Sequence, residues 1–156
     1  MKNKTLFLDF DHEEEISVAL VKLKQKLPYH ELFFKINQLN LFQFFRKKDL
    51  QVEDFSSYHS FPIFETFDEL SQTTFRVMAN QSCDVQRKEK PIEGLFDLIE
   101  EEKFFIREEV DFIIFSKEGG NNFSSIHLPE EYVNSVEEYW LYPEEELYQT
   151  ILNYDE

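Results

Sequence analysis

Apolar residues recur along this chain in short alternating runs more often than in helical stripes. Ile16, Val18 and Leu20 alternate with small or polar residues, and Lys22, Lys24 and Lys26 continue the two-residue period. The same segment also carries Ile16, Ala19, Leu20, Leu23 and Leu27 at helical spacing, with acids before it and lysines towards its end to suit a helix dipole. The pattern admits helix or strand over 16–23, and its β-branched residues tilt the reading to a strand. Behind Pro28 the period lengthens. Leu32, Phe33, Ile36 and Leu39 recur at i, i+1, i+4 and i+7, which predicts an amphipathic helix over about 28–39.

Runs rich in aromatic and β-branched residues predict further strands in LFQFFRKKDL, FPIFETF and TTFRVMA, and a short one in TLFLD at 5–9. Residues 81–91 (QSCDVQRKEKP) are polar and predict a loop, and IEGLFDLI a short helix or an extended cover. In KFFIREEVDFIIF, Ile113, Ile114 and Phe115 run apolar without a break after Val110 and Phe112. Such a run predicts a central strand covered on both faces, with Glu108 and Glu109 at its solvated mouth and Arg107 paired to a nearby acid. Gly119-Gly120 marks a turn, Pro129 opens a predicted short helix (PEEYVNSVEE), YWLY reads as a strand, and Pro143 opens a last helical segment. The sum is an α+β domain, a single unit over 1–156: a mostly antiparallel sheet with one main helix at about 28–39 and short C-terminal helices.

Composition narrows the function classes. The chain is 42% hydrophobic with 18 phenylalanines, enough apolar area to fold despite a net charge of −16. That charge argues against direct nucleic-acid binding, which relies on cations that displace counterions, and fits a basic protein partner. One cysteine, Cys83, permits neither an intrachain disulfide nor a cysteine-rich zinc site, so a reducing, cytoplasmic setting is expected. No apolar run is long enough to cross a membrane.

Candidate chemistry is sparse. Asp9-Phe10-Asp11, at the end of the 5–9 run, resembles the nucleophile motif of haloacid-dehalogenase-type phosphatases, but the βαβ series such enzymes need is missing from the pattern. Asp9, Asp11, His12 and the glutamates at 13–15 offer oxygen ligands without the glycine an ion-binding loop uses, so no metal and no cofactor is expected. The four histidines show no metal-ligand spacing. Cys83 sits beside Asp84, which should raise its thiol pKa. Arg46-Lys47-Lys48 is the one basic island, which Lys22, Lys24 and Lys26 are expected to join across a sheet, and is the candidate partner-binding site. The stripe Phe33, Phe34, Phe42, Phe44, Phe45 reads as core.

Several of these segments resemble the IPExxxDY family of small bacterial proteins. LPYHELFFKINQLN is similar to a family segment ending in asparagine, here Asn37, and FPIFETFDELSQTTFRVMANQS to another, here ending at Asn80. FIREEVDFIIF resembles the name motif, with Ile106 and Glu108 for its I and E and Asp111-Phe112 for its DY. VEEYWLYPEEELYQTILNY is similar to the closing segment. The chain differs in having Arg107 for the proline, one residue fewer between Glu108 and Asp111, and Phe112 for the tyrosine. The resemblance implies a strand at 16–23 and no assigned activity. The expectation is therefore a non-enzymatic protein-binding or regulatory module, with the motif residues structural. Its rivals are a magnesium-dependent phosphoryl-transfer enzyme using Asp9 and Asp11, and an acidic mimic of nucleic acid that occupies a basic cleft.

Overall fold

The computed structural model describes residues 15–87, 102–117 and 122–154. The expected strand at 5–9, the acids Asp9 and Asp11, the IEGLFDLI segment and the Gly119-Gly120 turn lie outside them. In chain order the elements are β1 (Ser17–Leu23), α1 (Tyr29–Leu39), β2 (Phe45–Arg46), β3 (Leu50–Glu53), β4 (Ser57–Phe61), β5 (Ile63–Asp68), β6 (Thr73–Ala79), β7 (Asp84–Arg87), β8 (Phe112–Ser116), a 3-10 turn (Phe123–Ser125), β9 (Val133–Trp140) and α2 (Glu146–Leu152). Strands β2-β5-β6-β8-β1-β9 form one sheet and β3-β4-β7 a second, and every pairing between these strands is antiparallel. The fold is α+β.

Burial settles the ambiguous segment. Residues 16–21 are buried without interruption, which an amphipathic surface helix with a single apolar stripe does not allow. As a strand the segment divides its side chains: Ala19 and Val21 join one core, and Ile16, Val18 and Leu20 the other. The first core lies under α1, whose Leu32, Phe33 and Ile36 pack on Phe64, Val77, Phe112 and Ile114. There the Phe33 ring stacks on Phe64 with centroids 3.8 Å apart and meets Phe112 edge-on. The second core lies between the large sheet and the layer made by the small sheet with α2, joining Ile63, Met78, Ile113 and Phe115 to Phe61, Leu147 and Tyr148. Strand β8 sits between β6 and β1 with all five residues buried, the central strand that its unbroken apolar run predicts.

Elsewhere pairing overrides local pattern. The expected helix from Pro129 is limited to one turn, in which the Pro129 carbonyl accepts from the Tyr132 and Val133 amides. The chain then runs along β1 as β9, where Trp140 pairs with Ser17 and Glu137 with Leu20. The available edge of β1 and the β-branched Val133 and Val136 outweigh a weak helical signal. Within the expected loop 81–91, residues 84–87 form β7 against β4. FPIFETF is not one strand: Pro62 separates β4, in the small sheet, from β5, in the large one, and its carbonyl accepts the Ala79 amide at 3.0 Å. Between β5 and β6 the turn is held by Asp68, whose carboxylate accepts from the Leu70 amide and the Ser71 hydroxyl, and Gln72 takes a positive φ of 56°. No helix among the described residues is long and apolar enough to cross a membrane.

Candidate functional site

Asn80, at the end of β6, organises the motif loop. It is fully buried, donates from Nδ2 to the carbonyls of Arg107 and Val110, each at 2.9 Å, and accepts the Ile106 amide at 2.9 Å on Oδ1. Its backbone amide donates to the Asp111 carbonyl at 3.0 Å. One asparagine thus satisfies most of a loop that enters the central strand. At the next position Asp111 accepts the Leu23 amide on its carboxylate at 2.7 Å while its own amide donates to the Val21 carbonyl at 2.9 Å. The expected Arg107 pairing is with Glu109, at 3.0 Å, and with Glu137 of β9, at 2.9 Å, and not with Asp111. A backbone hydrogen bond, with Arg107 and Lys22 adding their charge, holds the Glu109 carboxyl below its ordinary range.

Beside this loop opens a cleft of about 1160 Å³, bounded by Arg46, Glu108, Asp111 and Phe112 with Lys26 and Tyr29. Four of the seven residues singled out in the sequence therefore meet on one surface. Ile106 packs instead against the second core, Lys47 lines a different groove, and Lys48 is exposed. Arg46 is already engaged: it bonds Asp49 at 2.8 Å and its guanidinium lies 5.4 Å from the Phe64 ring centre and 5.8 Å from that of Tyr29. Lys47 lies 3.9 Å from Glu65. The lysines of β1 do not extend this island across a sheet, because β5, β6 and β8 separate β2 from β1 and Lys22 pairs with Glu109 at 3.8 Å. Lys26, beyond the strand, reaches the cleft.

Burial pushes the Cys83 thiol up, and Asp49, 3.5 Å from its sulfur, pushes it further; the direction matches expectation but the charge responsible is Asp49, not Asp84. Burial likewise raises the Tyr29 hydroxyl, reinforced by Cys83 and Asp49. His59 is buried with Nε2 3.0 Å from Asp54, the arrangement of an oriented base, yet its Nδ1 meets no hydroxyl or thiol among the described residues. Asp54 also approaches Lys103, which lies 3.0 Å from Glu146. Burial alone would lower the Lys103 amine, and these two acids together leave it above its ordinary range. Among the described residues no three histidine, cysteine or acidic side chains converge as a metal site.

A second surface carries apolar groups instead. A groove of about 920 Å³ along the β2 edge exposes Leu41, Phe45, Phe67 and Leu70, with Arg46 and Lys47 at its rim. Leu41 is 90% and Leu70 84% exposed. The aromatic stripe is thus only partly core: Phe33 and Phe44 are buried, Phe42 packs against the core, and Phe34 and Phe45 face out. Period-two reasoning would have found Phe45, since neighbours on a strand point to opposite faces. In comparisons with known proteins, no family model, no curated protein and no solved structure matches the chain.

Proposed function

We propose that this protein is a non-enzymatic module of the cytoplasm that binds another protein, in keeping with the absence of an assigned activity in the IPExxxDY family it resembles. The groove at the β2 edge carries this reading: four large apolar side chains stand together in water beside Arg46 and Lys47, where burial by a partner would release about 25 cal/mol per Å². By contrast, Asp111, Asn80 and Arg46 at the motif cleft are committed to contacts within the chain, which shape the fold. A net charge of −16 selects for a partner with complementary positive charge.

Purification of the tagged protein from its host, beside a Phe45→Ser/Leu70→Ser variant, tests the reading. A protein retained by the native chain and lost by the variant, with the variant's melting curve unchanged, is the expected result. Equal retention by both would remove the groove from the binding surface. The enzymatic rival is tested separately: the purified protein is expected to hydrolyse no generic phosphomonoester with magnesium, and activity abolished by Asp9→Asn would replace the binding reading.

A further inference from the structure

We propose that the outer edge of β9 is a docking surface for an extended, basic segment of a partner protein, which adds to the large sheet as a seventh strand. The proposal takes from the preceding one only that the ligand is a polypeptide, and it uses the opposite edge of the sheet. Strand β9 is eight residues long and, among the described residues, ends the sheet on one side. The Leu141 amide donates to the Ile16 carbonyl at 2.9 Å, so in the alternation of an antiparallel ladder Glu137 and Tyr139 also turn their backbone groups towards β1. Val136, Glu138 and Trp140 then turn their N–H and C=O groups outward, and no backbone partner meets them among the described residues. A row of such groups is a template for one more strand.

The side chains say what that strand should carry. Val136, Glu138 and Trp140 pair with Val21, Ala19 and Ser17, and so share the α1 face of the sheet. Val136 is 50% and Trp140 49% exposed, and no ion pair engages Glu138 among the described residues. An incoming strand places every second residue against these three, which calls for an apolar side chain, a lysine or arginine, and a second apolar side chain. A second copy of this chain fits badly. The antiparallel register that sets Val136 against Trp140 puts Glu138 against Glu138, between molecules of −16 charge each.

Trp140 is the only tryptophan in the chain, so its emission reports on this edge alone. The probe is a blocked peptide with valine, lysine and valine at alternate positions between threonines. It is expected to shift Trp140 emission to the blue and to slow hydrogen exchange at the Val136, Glu138 and Trp140 amides. Replacing the peptide's lysine by glutamate should weaken binding at least tenfold, and Glu138→Lys should reverse that preference. Val136→Pro removes an outward N–H without touching the β1 ladder, and should abolish binding while the fold melts as before. No change in emission or exchange at millimolar peptide would overturn the proposal. So would a concentration-dependent emission shift of the protein alone, which would assign the edge to self-association. The Phe45→Ser/Leu70→Ser variant leaves β9 intact, so the two binding surfaces succeed or fail independently.

Discussion

Asn80 and Asp111 show how a polar side chain can be indispensable without being reactive. Asn80→Ala would strip four side-chain hydrogen bonds from a fully buried position and leave the Val110 carbonyl and the Ile106 amide short of a partner. A loss of about 2–4 kcal/mol in urea unfolding is expected, and Asn80→Asp should cost no less, because a carboxylate cannot donate to the Val110 carbonyl. Phe112→Ala should cost roughly 3–5 kcal/mol and Asp111→Ala roughly 1–3, the first by opening a cavity under α1 and the second by stranding the Leu23 amide. Equal unfolding midpoints for these two would contradict the packing described. Cys83 should alkylate slowly at neutral pH, since its raised pKa keeps the thiol protonated beyond the usual range; Asp49→Asn should speed the reaction, measurable with iodoacetamide.

Elements whose own residues carry a strong period were legible in the sequence, and those made by pairing were not. The helix at about 28–39 corresponds to α1, TTFRVMA to β6, and the unbroken apolar run to β8, because in each the buried positions outnumber any competing pattern. Strand β9 was legible only at its end, in YWLY, because six of its eight residues are exposed on an edge and no apolar face marks the rest. The short β7 escaped for the same reason. Of the candidate residues, Arg46, Glu108, Asp111 and Phe112 were singled out by residue type and by the family resemblance, but their meeting in one cleft depends on sheet order, which local sequence does not encode. Asn37 gains its explanation only in three dimensions: it accepts the Phe44 amide at 2.7 Å and donates to the Phe44 carbonyl, tying the end of α1 to the entry of β2. Asn37→Ala should therefore destabilise the fold by about 1–2 kcal/mol in urea, with no effect on peptide binding at β9.

At the scale of the molecule, charge governs behaviour in solution. With 32 acids against 16 lysines and arginines, duplex DNA or RNA should form no complex in gel shifts at physiological salt and micromolar protein; a salt-sensitive complex abolished by neutralising Arg46, Lys47 and Lys48 would reverse this. Acid should also loosen the motif loop. The Glu109 pKa is lower folded than unfolded, so its contribution is complete above the ordinary glutamate range and is lost as pH falls through the depressed value. The order of the large sheet has a further consequence, for synthesis. Strand β1 is flanked by β8 and β9, with Ala19 paired to both Ile114 and Glu138. A ribosome therefore releases Val18, Leu20 and Val21 long before either neighbour exists, and the nascent strand must wait with both edges open. Folding that depends on such distant pairing is slow and leaves apolar strands exposed to other chains meanwhile. A fragment ending at residue 110 should show no cooperative thermal transition by circular dichroism, because the two strands that close the sheet around β1 are both missing from it.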